Sequence, residues 1–146
     1  MAAVFLEAYE RRMMLIFDNV IYFSRVSSAN LMKIVKPGEH PKLDTVKGRH
    51  GEIIIVGEKA MMMRLTVEPN VPTPPHSHSH EQMGLVVQGE GDLYVGDEKV
   101  HVEEGTSFWV PPNMPHNFDA TGDEPAVLVE CFCPPREDYL EQVGLR

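Results

Sequence analysis

The chain is short of cysteine, of basic residues and of long apolar runs, and each shortage removes a class of protein. Of its 146 residues only Cys131 and Cys133 are cysteines. Two are too few for a multiply bridged secreted scaffold. At i and i+2 of a strand their Cα atoms also fall at or beyond the disulfide limit of about 7 Å, so free thiols are expected. Lys and Arg number 13 against 22 Asp and Glu, giving a formal charge of −9 and a pI near 5.2. Such a field repels polyanions and argues against nucleic acid as a partner. A small acidic ligand stays admissible, because one or two buried cations reverse the local field. A spanning helix needs about 20 predominantly apolar residues, and Asp18 and Asn19 interrupt the apolar stretch between Met13 and Phe23. Glu7 and Glu10 ahead of Arg11–Arg12 are also poor form for an export signal. The expectation is a cytoplasmic protein without a membrane role.

Hydrophobic residues at 42% and charged residues at 24% are ordinary for a globular chain and argue against wholesale disorder. Residues 1–31 read as an extension, helix-prone and then irregular, and 32–146 as one domain. Pro37, Gly38, Pro41 and Gly48 mark residues 32–50 as loop with at most one edge strand. Short alternating or apolar runs follow at Glu52–Val56, Ala60–Glu68, Met83–Gln88, Asp92–Val95, Lys99–Val102, Ser107–Val110 and Ala126–Cys133. Turn-forming residues separate them, and Gly96–Asp97–Glu98 has the form of a tight hairpin. Closely spaced short strands without a long helical period predict an all-β fold, closed or built of two sheets. Only Glu137–Val143, after Pro134–Pro135, reads as a short helix.

Most of the chemistry is concentrated in His76-Ser77-His78-Ser79-His80-Glu81-Gln82 and, downstream, in Pro111-Pro112-Asn113-Met114-Pro115-His116. Successive strand side chains alternate faces. An extended 76–82 therefore places His76, His78, His80 and Gln82 on one side, where two imidazoles and an amide oxygen converge on one cation. His116 arrives from another strand. In isolation the first run is equally a His-rich surface loop; the second segment shifts the balance.

Together these residues resemble the cupin superfamily, whose motifs run G-x5-H-x-H-x(3–4)-E-x6-G and G-x5-P-x-G-x2-H-x3-N. His76 and His78 fill the paired histidines, Gly89 the closing glycine, and Gly105, Pro111 and His116 the second motif. Gln82 stands where most members carry Glu, Val71 is read at the opening glycine, Asn113 at the internal glycine and Ala120 at the final asparagine. Counting from Gly89 and strand parity both favour Gln82 over Glu81 as the fourth ligand. The resemblance implies a single-domain double-stranded β-helix, or jelly-roll barrel, with the extension in front and the short helix behind. It also implies one divalent transition metal on His76, His78, Gln82 and His116. Imidazole and amide donors suit Ni, Zn, Fe, Mn and Cu alike. His80 is assigned to the rim.

The tail Glu130-Cys131-Phe132-Cys133-Pro134-Pro135-Arg136-Glu137-Asp138-Tyr139-Leu140 resembles that of small pectin-degradation (KdgF-like) cupins. That group opens 4,5-unsaturated uronates into linear keto forms, which implies functional roles for Glu130, Phe132 and Arg136. Parity puts Glu130 and Phe132 on one face and both cysteines on the other. A carboxylate among apolar neighbours is costly to bury unless paired, so Glu130 is expected with a raised pKa. Arg136, or else Arg64, is expected to present a guanidinium fork to a carboxylate. Phe108, Trp109, the cysteines and Met61–Met63 are expected in the packing.

The implied activity is a metal-dependent isomerase acting on an anionic sugar acid. Two alternatives remain at this point: a metal-dependent dioxygenase, and a non-enzymatic binding module. Strands apolar on both faces call for an outer cover, and the family implies a homodimer.

Overall fold

The computed structural model describes residues 15–17, 20–22 and 33–146, and strand follows strand through them with a single helix at the end. The chain divides into two units, Met1–Ile34 and Val35–Arg146. In the first, β1 (Leu15–Phe17) and β2 (Val20–Tyr22) pair antiparallel. A helical extension was expected here. The described part is strand instead, since five of its six residues (Ile16, Phe17, Val20, Ile21 and Tyr22) are β-branched or aromatic with high strand preference. The rest of the expected helix lies outside the described residues.

In the second unit come β3 (Lys42–Val46), β4 (Arg49–Val56), β5 (Met61–Val67), β6 (Glu81–Gln88), β7 (Glu90–Val95) and β8 (Glu98–Glu103). They are followed by β9 (Ser107–Val110), β10 (His116–Ala120), β11 (Ala126–Cys133) and α1 (Glu137–Gln142). Six strands form one antiparallel sheet in the order β3-β4-β5-β11-β6-β9, and three form another in the order β10-β7-β8. This is the expected all-β cupin architecture. The strand β10 has no counterpart among the runs read from the sequence, although Phe118 and Ala120 alternate there with the polar Asn117 and Asp119. The hairpin at Gly96–Asp97 joins β7 to β8 as expected.

Burial alternates strictly along β11 and along most of β5, as one covered face requires. Leu65, Val67, Val86, Ala126 and Leu128 from the large sheet meet Leu93, Val102, Phe118 and Ala120 from the small one. A second cluster joins Ile53, Met61, Met63 and Phe132 to Leu140 of α1. Close approach matters at Gly84, where a Cβ would come 2.1 Å from Cζ of Phe108. The bare backbone lets that ring lie across β6 and reach the cavity between the sheets.

The outer face of the large sheet carries Met62, Met83, Leu85, Val87 and Trp109, all exposed. Strand register sets Trp109 beside Met83, Met83 beside Cys131 and Cys131 beside Met62. Trp109 was expected in the core, but its parity turns it outward while Val110 is buried. Cys133 is likewise exposed rather than packed, and both cysteines are free thiols. Among the described residues no helix is long and apolar enough to cross a membrane. Replacing Gly84 with Ala forces Phe108 out of its seat, and overpacking of this kind costs about 1–3 kcal/mol. Chemical denaturation should show that loss; a variant as stable as the parent would mean that the ring finds another seat freely.

Candidate metal centre

Pro72, Pro74 and Pro75 cannot donate to a sheet ladder, and no regular strand forms between β5 and β6. The sequence reading had 76–82 extended throughout; only Glu81 onward is strand. His76 is held by an isolated bridge to His116, with His76 N donating to His116 O at 3.0 Å and the reverse bond at 2.9 Å. The amide of Asn113 donates to His78 O at 2.7 Å. Backbone bonds thus fasten the second histidine segment directly onto the first.

The ring centroids of His76 and His116 are 4.4 Å apart, those of His78 and His116 5.0 Å, and those of His76 and His78 5.8 Å. One nitrogen from each of the three lies within 4.8 Å of the others. His80 stays beside them, its ring 5.5 Å from that of His78 and outside the triad. Glu81 takes no part in the cluster either. Gln82 is buried, and its Oε1 lies 3.0 Å from His78 Nε2 and 3.1 Å from His116 Nε2.

Proton positions decide what this cluster is. His78 Nδ1 faces the carbonyl of His80 at 3.1 Å, and His116 Nδ1 that of Met114 at 2.8 Å. A carbonyl only accepts, so each Nδ1 carries the hydrogen and each Nε2 presents a lone pair. Gln82 donates through Nε2 to Glu130 Oε1 at 2.8 Å, which turns its own oxygen toward the imidazoles. Burial, reinforced by His116 and Arg49 for His76 and by Arg136 for His78, pushes both rings down to about 4. Burial also lowers His116. The rings are therefore neutral at pH 7, and acceptor faces acceptor with no hydrogen between them. A cation resolves that conflict. The residues present fit a divalent transition metal, with His76, His78, His116 and Gln82 as the donors.

Behind Gln82 stands Glu130, 6% exposed and on the inner face of β11. Burial raises its pKa to about 7 against the opposing pull of Arg49, Arg136 and the Gln82 bond. Phe132 is buried on the same face, its ring 5.5 Å from that of His78. Arg136 is buried too, but its fork is already engaged. Nε and Nη2 donate to Asp138 at 2.9 and 2.6 Å, and the group stacks on Tyr139 at 3.9 Å. Only its Nη1 is buried without a partner. Arg64, the other expected anchor, lies half-exposed, paired with Glu52 directly across β4 and β5. That corrects its assignment: at parity with Met62 it faces out.

Arg49 and Tyr139 were missed. Both line a cavity of about 30 Å³ shared with His76, Gln82, His116 and Glu130. Stepping back by twos from the buried Ile53 reaches Gly51 and Arg49 on the inner face, so the alternation was available had the strand been started earlier.

Residues 63–132 match the family model described as the cupin domain. The chain belongs to the cupin family. It is 26% identical to the pectin degradation protein KdgF of Dickeya dadantii over 103 residues, 70% of this chain and 93% of that one. An uncharacterized protein of Aquifex aeolicus is 30% identical over 97 residues, covering 62% of this chain and 79% of the other. The solved structure of KdgF from Halomonas sp. superimposes with a TM-score of 0.66 at 25% identity, covering 73% of this chain and 98% of that one. This cupin thus resembles KdgF in sequence and in fold. Its two displaced family glycines have a common explanation. The opening glycine of the first motif falls on Asn70 rather than Val71, and Asn70 and Asn113 have φ of 59° and 64°. Asn is the side chain most tolerant of that left-handed region after glycine.

Ordinary histidine ligands begin to yield metal to protons below about pH 6.5. Here the lone pairs of His76 and His78 stay free until the pH falls to about 4. Elemental analysis after dialysis should find metal retained at about pH 5.5 and lost toward pH 4, and little in His116→Ala at neutral pH. Release already complete near pH 6 would contradict the proton assignment.

Proposed function

We propose that this cupin is a metal-dependent isomerase that opens 4,5-unsaturated uronates into linear keto forms. The observation that carries the reading is the placement of Glu130, a carboxyl buried beside the histidine cluster and bonded to Gln82, where burial pushes its pKa up to about 7. A group poised there gives and takes a proton with comparable ease at neutral pH. The likeness to pectin degradation proteins over most of both chains supports the substrate class.

When bound, the divalent metal supplies a Lewis acid for substrate oxygens. Ring opening moves the proton of the anomeric hydroxyl as the C1–O5 bond breaks, and keto formation moves the enol proton to C4. No atom is gained or lost, so one carboxyl that alternately accepts and returns a proton suffices. Glu130 takes that role, with Gln82 holding its Oε1 in place. Phe132 walls the site beside His78, and Arg136 offers its remaining Nη1 hydrogens to the ligand. Imidazole and amide donors of this set accept Ni, Zn, Fe, Mn or Cu.

The isosteric change Glu130→Gln keeps an acceptor for Gln82 and removes the titrating proton. Uronate opening, followed by the fading enol absorbance, should fall about 10²- to 10⁴-fold with metal content unchanged. Unaltered turnover would remove Glu130 from the mechanism. Oxygen uptake by the parent protein would favour the dioxygenase alternative instead.

We also propose that two copies pair through the apolar outer face of the large sheet. Monomers seldom leave a contiguous apolar patch of this kind open, and here it crosses β9, β6, β11 and β5 in one row. The double change Met83→Glu and Leu85→Glu should yield a monomer by light scattering while leaving metal content intact. An unchanged mass would move the interface elsewhere.

A further inference from the structure

The inner end of the barrel holds a cation that the mechanism above does not use. Arg49 is 7% exposed. Its Nη2 donates to Phe118 O at 2.5 Å, a bond from β4 across to β10 in the opposite sheet. The guanidinium is thereby fixed in place, spanning the gap between the two sheets. Its Nε is buried and has no hydrogen-bond partner, while the side chain lines the same cavity as Glu130, His76 and His116. Leaving such a donor unsatisfied is costly, so the position calls for an acceptor brought from outside the chain.

We propose that Arg49 binds an acidic oxygen of the ligand, so that the ligand enters the barrel with its carboxylate leading. This rests on the uronate reading only for the identity of the acid. Arg49 is the one guanidinium that lines the cavity, opposite the carboxyl of Glu130, while Arg136 is paired with Asp138. A fixed, unpartnered guanidinium donor there favours an anionic group over a neutral one. Its volume of about 30 Å³ holds roughly two water-sized atoms. That suits the paired oxygens of a carboxylate and not a sugar ring, so the head group goes in and the ring stays at the mouth. Arg136 is the weaker anchor on this geometry. Its fork is filled by Asp138, its face is stacked on Tyr139, and it does not line the cavity.

Titration calorimetry on the metal-loaded full chain, with galacturonate and its methyl ester as probes, tests the assignment. The parent protein should bind the acid more tightly than the ester by about 10- to 100-fold, the usual yield of a charge-assisted hydrogen bond. Arg49→Met should erase that preference and leave ester affinity within about twofold. Arg49→Lys keeps a donor for Phe118 and loses Nε, so it should weaken the acid selectively even if the Met variant folds poorly. Acid preference intact in Arg49→Lys, acid and ester weakened alike, or preference lost in Arg136→Met but kept in the Arg49 variants each overturns the proposal. A parent protein indifferent to the acid overturns it as well. Opening of unsaturated uronates on the same preparation separates the two readings. Turnover with acid preference untouched by Arg49 changes removes the anchor alone. Lost preference in a protein without turnover retains the anchor and removes the uronate.

Discussion

The amide of Gln82 is the joint on which the site turns. Its nitrogen is committed to Glu130, and its oxygen is thereby aimed at the Nε2 atoms of His78 and His116. Those nitrogens carry lone pairs because their ring partners are tied to backbone carbonyls. A concentration of acceptors with no hydrogen among them is stable only around a positive charge. The same amide therefore prepares a metal position on one side and holds a proton-carrying carboxyl on the other. A glutamate at 82 would add a second negative charge beside Glu130 and remove the hydrogen that now joins them. The neutral residue keeps the positive charge of the centre undiminished for an acidic ligand.

The fold serves this joint by rigidity. Gln82 and Glu130 stand on neighbouring strands of the large sheet, His116 begins a strand of the small one, and His76 bridges to it by two backbone bonds. Side chains locked on paired strands keep the donor positions fixed, as a functional constellation requires. Arg49 ties the two sheets together at the cavity through Phe118. Structural and chemical roles meet in that residue.

Much of this was legible in the sequence because strands impose a period of two. Parity and the count back from Gly89 separated Gln82 from Glu81, parity separated Glu130 from Cys131, and the wide spacing of the histidine segments suggested a site shared between strands. Parity also failed where the chain departs from a regular strand. His76 and His78 converge through a bridge and a proline-rich irregular segment, a tertiary arrangement that alternation does not describe. The partner of Arg136 was invisible because Asp138 reaches it from the first turn of α1, through a local fold-back. Trp109 reads as core by composition, yet its register puts it outward; composition says nothing about which face of a half-covered sheet a residue takes. Arg49 was hidden by a strand boundary placed three residues late.

Anomalous diffraction at the absorption edge of the resident metal tests the central claim most directly. A single strong peak should lie among the ring nitrogens of His76, His78 and His116 and the side-chain oxygen of Gln82, with Glu130 one hydrogen bond further out. Crystals grown with metal in excess that show no density there, or a peak held by other side chains, would contradict the account.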